Sequence, residues 1–224
     1  TLDDCTDTGI SRKEAEASVE RTVQWAKRCK VHFEKEYGGT KNTGKLLTCV
    51  VQGANYLDLR RKCAKELAEI GFDGYNFGGF VVDADKHLVV DEMTAVYENT
   101  PKDKFKYAMG VGKPQDIRMG AKIGYTVFDT VLVTRNARHG TLYSSDMENE
   151  VLKITKPEYA LDERPIDSKC DCYTCRNFSR AYIHHMLRAK EAVGMTLATI
   201  HNLRYYHRLI DEINAGGQTV ERWE

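Results

Sequence analysis

Leu46-Leu47-Thr48-Cys49-Val50-Val51-Gln52-Gly53 is a short apolar, β-prone run that stops at a polar residue and a glycine. A helical stretch over about 55–70 follows it and closes at Gly71. The same sentence is then repeated. Phe72 to Phe77 reads as a strand ending at Gly78-Gly79, with a helix around 86–97 behind it. Lys104 to Met109 reads as a strand ending in Gly110-Val111-Gly112, and a helix over 114–122 follows with Pro114 in its first turn. Tyr125 to Val133 reads as the last strand of the series, with Asp129 inside it. Strand and helix alternating at this rhythm predict parallel βα units.

Working outward, Ser11-Arg12-Lys13-Glu14 fits a capping box, and Val19, Val23, Trp25 and Ala26 give helical periodicity over 11–30. Gly38 to Gly44 reads as a loop. Gln52, Gly78-Gly79, Met109 and Asp129 all stand at strand ends, which in a (β/α) barrel form the functional face. Four strands, with the end of a fifth just before Asp3-Asp4-Cys5, are too few to close such a barrel. The expectation is therefore an α/β fold, a partial (β/α)8 TIM barrel over residues 1–140. The sequence opens on Thr1 and reads as the C-terminal portion of a longer protein. After Arg138-His139-Gly140 the pattern changes to a hairpin over 141–157 and two helices over about 176–193 and 196–214. Residues 141–216 are expected to form an appended zinc-binding subdomain, and 217–224 a tail.

The subdomain is identified by Cys170-Asp171-Cys172-Tyr173-Thr174-Cys175 and by His201 on the last helix. Three thiolates and one imidazole make the four-ligand tetrahedral set that a structural Zn2+ prefers, one ion per chain. A filled shell holds shape and activates no water, so any chemistry must lie elsewhere. Disulfides, the other use for packed cysteines, suit small secreted chains better than one of 224 residues. Cys5, Cys29, Cys49 and Cys63 are scattered and read as small buried residues.

Hydrophobic residues make up 42% and charged residues 29%, which suits a globular chain with a sizeable core and a cytoplasmic setting. No apolar stretch reaches membrane-spanning length, so no membrane partner is expected. The formal net charge is zero, which removes any whole-chain argument for nucleic-acid binding. Between Arg164 and Arg208, however, eight Lys or Arg face three acidic residues, and a basic patch on a metal module suggests phosphate contact.

Together these motifs resemble the tRNA-guanine transglycosylases, the enzymes of queuosine synthesis that exchange a guanine base in tRNA. The resemblance runs through Asp3-Asp4-Cys5-Thr6, Val51-Gln52-Gly53, Gly71 to Tyr75 and Gly78-Gly79. It continues through Tyr107 to Pro114, Phe128-Asp129-Thr130-Val131, Thr134 to Arg138, the cysteine cluster, Arg180-Ala181-Tyr182 and Thr199 to Leu203. It implies that Asp129 attacks the ribose anomeric carbon, expels guanine and forms a covalent tRNA–enzyme intermediate that a second base displaces. That is the double displacement of a retaining glycosidase. On residue type alone Asp129 reads equally as a strand-end or helix-capping carboxylate.

The resemblance further implies that Asp3 accepts from the guanine N1–H and 2-amino group. Gln52 and the Gly79 N–H would donate to its carbonyl, and Met109 would pack on its face, with Cys5 in the same substrate-binding motif. Met109 taken alone reads as a core methionine. Arg135 and Arg138 would hold the RNA, and Lys113 its backbone phosphate, where a solvated lysine is the other reading. Val82 resembles bacterial enzymes, which use 7-aminomethyl-7-deazaguanine. Ala84 stands where that pattern has Glu, leaving Asp83 or Asp85 to compensate. The expected partners are thus tRNA, guanine or a 7-deazaguanine base, and a second copy in a homodimer. The family's general acid/base and the aromatic facing Met109 belong to an N-terminal half. The alternative function is a catalytically silent tRNA-binding subunit, or an inactive fragment, of the same family.

Overall fold

The computed structural model of the chain describes residues 1–7 and 9–218, so the expected tail lies almost wholly outside the described residues. The chain divides into two compact units. The first takes in residues 1–111 and 115–129, and the second takes in 112–114 and 130–217.

The first unit begins with α1 (Arg12–Tyr37). Its N-cap is the expected capping box, with Ser11 accepting from the Glu14 N–H and the Glu14 carboxylate accepting from the Ser11 N–H, an arrangement that contributes about 1 kcal/mol. The helix outruns its expected end by two turns and stops at Gly38, whose φ of 67° closes it in the left-handed conformation. The glycine-rich loop holds a single turn, α2 (Thr40–Thr43). Then come β1 (Thr48–Val51), α3 (Leu57–Ile70), β2 (Gly74–Phe77), α4 (Val90–Glu98), β3 (Phe105–Ala108), α5 (Pro114–Ile123) and β4 (Val127–Phe128).

The four strands form one parallel sheet in the order β1-β2-β3-β4. Each helical crossover therefore advances the chain by one strand. Strand burial explains the continuous apolar runs: Cys49, Val51, Tyr75, Phe77 and Ala108 have no exposed surface. Ala15, Val19 and Ala26 of α1 and Cys63, Ala64 and Leu67 of α3 complete this core.

One expected strand is corrected. Residues 125–133 were read as β throughout, but β4 has two residues and α6 (Leu132–Arg138) begins soon after it. The β-branched run Thr130-Val131-Val133-Thr134 misleads, because the Thr130 hydroxyl accepts the Leu132 N–H and starts a turn instead.

The second unit holds α6, the hairpin β5 (Thr141–Tyr143) and β6 (Val151–Lys153), a 3-10 turn (Pro157–Tyr159), α7 (Tyr173–Asn177), α8 (Arg180–Arg188) and α9 (Ala192–Ala215). The helix expected over 176–193 is two helices. Ser179 interrupts it as an N-cap, accepting from the Tyr182 N–H at 3.2 Å. The unit has its own core, in which Ala137 of α6, Leu142, Leu152 and Ile154 of the hairpin, Ile183 and Leu187 of α8, and Leu197 and Ala198 of α9 pack together. That packing draws α6 into this unit, ahead of the division proposed from sequence at residue 140.

Candidate functional site

Val51, Phe77, Ala108 and Phe128 lie in one register row across the sheet. The next residue in each strand is Gln52, Gly78, Met109 and Asp129, in that order. All four strands are parallel, so these residues share one edge of the sheet, its C-terminal rim. The rim carries Gln52, Met109 and Asp129, with Gly79 one residue past Gly78 and Asp3 bonded to Gln52.

At one end stand Asp3 and Gln52. Gln52 is buried and donates through Nε2 to the Asp3 carboxylate at 2.7 Å. The neighbouring Asp4 fixes this segment on α1: its N–H donates to Thr22 Oγ1 at 3.0 Å, and its carbonyl accepts from Ser18 Oγ at 2.6 Å. Its carboxylate accepts from Arg21 Nε at 2.8 Å. Asp4 is thereby occupied with anchoring, and Asp3 is the carboxylate that meets Gln52. Cys5 is exposed, against the expectation of a buried thiol, and Cys29 is half-buried. Cys49 and Cys63 are buried as expected, and burial pushes the Cys63 thiol up to about 12, so neither is a reactive thiol.

Gly78 and Gly79 make room beside Gln52. A Cβ on Gly78 would lie 2.5 Å from Gln52 Nε2 and 2.4 Å from Val50 Cγ1. Gly79 has a φ of 88°, which favours glycine. Beyond it a small hairpin carries Val82 opposite Leu88, with Asp83 and Asp85 exposed at its tip. Met109 is 39% exposed, so it is a rim residue and not the core methionine its composition allowed.

At the other end, the exposed Asp129 carboxylate accepts from the Gly110 N–H at 2.7 Å and is hydrogen-bonded by Tyr107. Burial, then the bond to Asp129, pushes the Tyr107 phenol up to about 12, so it remains a donor. Sequence reading missed Tyr107. The available signal was its place in β3, two residues before the rim residue Met109. It also missed Arg60, a buried guanidinium behind the rim. Arg60 stands with Cys63, Ala64 and Leu67 at i, i+3, i+4 and i+7, an arginine on the apolar stripe of α3.

The second unit holds the cysteine–histidine cluster. The ligand atoms of Cys170, Cys172, Cys175 and His201 lie within 4.8 Å of one another. His201 Nδ1 is 3.3 Å from Cys175 Sγ and 3.8 Å from Cys172 Sγ. A tetrahedral ion with thiolates at ~2.3 Å and an imidazole at ~2.0 Å sets a sulfur-to-nitrogen edge of about 3.5 Å, which these distances straddle. The tautomer also fits: His201 Nε2 donates to the Tyr143 carbonyl at 2.6 Å, leaving the Nδ1 lone pair toward the sulfurs. The three thiols share hydrogen bonds, which lower the Cys172 thiol and raise the Cys175 thiol, so without an ion the charge of the cluster rests on Cys172. The four residues are placed so that they could hold one metal ion.

The basic stretch around the cluster is less available than its count suggests. Arg180 is buried between Asp162 and Asp146, and Arg164 pairs with Asp162. Arg204 pairs with Asp171 and Arg208 with Asp167. Local ion pairing therefore neutralises half of the eight cations. Arg135 and Arg138 are exposed in the last turn of α6, and Lys113 is half-buried.

A family model described as queuine tRNA-ribosyltransferase matches residues 1–216. A queuine tRNA-ribosyltransferase of Psychrobacter cryohalolentis is 44% identical over 214 residues, covering 95% of this chain and 55% of that protein. One from Vibrio atlanticus is 43% identical over 216 residues, with 95% and 54% covered. One from Vibrio cholerae is 44% identical over the same length and shares. The chain spans about half the length of the curated relatives it matches.

Proposed function

We propose a tRNA-guanine transglycosylase reading from one premise: the chain belongs to the queuine tRNA-ribosyltransferase family. The observation that carries the reading is the rim, which lines up Gln52, Gly78, Met109 and Asp129 along one edge of a parallel sheet. The strictly sequential strand order supports taking that sheet as an arc of a (β/α)8 barrel.

In this reading the base sits over Gln52 and Gly78-Gly79. Asp3, fixed by its bond to Gln52, accepts from the N1–H and 2-amino group. The Gly79 N–H and Gln52 donate to the carbonyl oxygen, and Met109 covers the ring face. Asp129 attacks the anomeric carbon as the bond to the departing guanine breaks, and a second base reverses the step with configuration retained. Gly110 and Tyr107 aim the carboxylate. Arg135, Arg138 and Lys113 hold the RNA strand. One zinc ion per chain, bound by Cys170, Cys172, Cys175 and His201, supplies shape and no activated water.

The partners in this reading are tRNA and a 7-deazaguanine, with a homodimer as the assembly and the cytoplasm as the setting. Val82 supports 7-aminomethyl-7-deazaguanine as the incoming base, and equal or better use of queuine in competition would exclude that choice.

The test is incorporation of labelled guanine into bacterial tRNA by the zinc-loaded chain beside Asp129→Asn. Removing the nucleophile should lower incorporation by at least ~10³-fold. Incorporation that survives in Asp129→Asn would sink the mechanism. A folded chain that binds tRNA but incorporates nothing, alone or extended through further strands, would instead support the silent-subunit reading.

A further inference from the structure

Arg60 is 2% exposed, in the first turn of α3, and occupies a place that nothing in the base-exchange chemistry requires to be charged. Its guanidinium lies over the Phe77 ring, 4.2 Å from the centroid. Every bond it makes ends on a backbone carbonyl at the rim. Nη1 donates to Val51 O at 2.9 Å and to Gly78 O at 2.8 Å, and Nε donates to Ala54 O at 3.0 Å. Val51 O is the last carbonyl of β1, directly before Gln52; Gly78 O belongs to the rim residue that follows β2, directly before Gly79; and Ala54 lies just past Gln52-Gly53. A Cβ on Gly79 would lie 3.3 Å from Arg60 Nη2 and 3.5 Å from Gln52 Oε1, so guanidinium and amide flank the same glycine.

The surroundings show that this clamp is built. Gly53 has a φ of 149°, and a Cβ there would come within 2.7 Å of the Arg60 backbone nitrogen, so the loop lies directly on the helix start. Ala54 adopts a φ of 46°, an uncommon conformation for a non-glycine residue. Holding a cation here is costly, since burial pulls the guanidinium down to about 10. An apolar side chain would avoid that cost but take the Arg60 donor from the Gly78 and Ala54 carbonyls and leave Val51 O with the Gly78 N–H at 3.1 Å.

We infer that Arg60 is a positioning residue that locks the ends of β1 and β2 from behind, setting Gln52 and the Gly79 N–H at the spacing that reads the base. The inference rests on the transglycosylase reading for the identity of the ligand, and on geometry alone for the clamp. The three carbonyls are served from two nitrogens of one planar fork, Nη1 and Nε, two positions that the single nitrogen of a lysine cannot fill together.

The test compares the chain with Arg60→Lys and Arg60→Met, using guanine as the probe in equilibrium dialysis and in the incorporation assay. Hydrogen exchange is followed across the same proteins. Arg60→Lys should raise exchange in 51–56 and 78–82 alone, weaken guanine binding about tenfold and leave KM for tRNA within about twofold. Arg60→Met guards against a lysine that partly rescues, and should show a larger loss of the same kind. Guanine affinity unchanged in a folded Arg60→Met, or exchange raised evenly over the first unit, would overturn the inference. A parent chain that binds no guanine would count against the transglycosylase reading. In that case the exchange pattern alone decides whether Arg60 sets the loops.

Discussion

Asp129 is an exposed carboxylate, and an exposed side chain keeps its rotamer freedom unless something takes it away. Two donors do so here, the Gly110 N–H and the Tyr107 hydroxyl. The two are not equivalent, because the backbone donor is fixed by the strand end while the phenol can be removed cleanly. Tyr107→Phe keeps the ring and its packing and deletes one bond to the carboxylate. A hydrogen bond to a charged group is worth about 1.5–3 kcal/mol when well shielded, and partial exposure pulls this toward the lower figure. On the proposed transglycosylase reading, in which Asp129 is the nucleophile, Tyr107→Phe should therefore lower kcat for base exchange about tenfold while KM for guanine stays within about twofold. A rise in KM with kcat unchanged would place Tyr107 in base binding and not in aiming the nucleophile. Arg60 acts on the opposite pattern, through the base and not the carboxylate, so the two substitutions should separate the two ends of the rim.

Between elements, Asn202 ties three parts of the second unit together, beside His201 of the cysteine–histidine cluster on α9. Its Oδ1 accepts from the Tyr143 N–H at 3.2 Å, and its Nδ2 donates to Val133 O at 3.0 Å and Thr141 O at 3.2 Å. One buried amide thus joins α9 to β5 and to α6, the helix that carries Arg135 and Arg138. Asn202→Ala strands the Tyr143 N–H and the Thr141 carbonyl, at a cost of roughly 2–4 kcal/mol. Asn202→Asp should cost more, because a carboxylate would face two carbonyls with no donor between them. Urea midpoints ordered wild type, Ala, Asp would bear this out, and an Asp variant as stable as wild type would refute it. These links also mark the limit of the sequence. The βα rhythm and the cysteine spacing were legible because each depends on neighbours in the chain, as with Cys170 to Cys175. The start of α6 was not, since it turns on one Thr130 hydroxyl bond that beats a β-branched run. Arg60 and Asn202 were not recognised for a related reason. A polar residue on an apolar stripe is legible as an anomaly, but its partners come from loops tens of residues away.

At the scale of the molecule, two cores divide the chain, and the cysteine–histidine cluster proposed to hold zinc belongs to only one of them. The cluster draws on α7 through Cys172 and Cys175 and on α9 through His201, which holds β5 through the Tyr143 carbonyl. Without an ion, three sulfurs and an imidazole lie within 4.8 Å of one another in a buried place. Metal binding to such a set is folding free energy for whatever it holds together, of order 10 kcal/mol for structural zinc. The sheet of the first unit has no share in those ligands; its core is apolar, with buried residues from the strands and from α1, α3, α4 and α5. Stripping the metal with a chelator should accordingly raise hydrogen exchange over 141–215 by orders of magnitude while 48–108 stays protected. Restoring one equivalent of zinc should reverse the change. If the chelator instead loosened β1 to β4 in step with α7 and α9, the two cores would be one cooperative unit, and the cluster would support the whole chain and not only the module that carries its ligands.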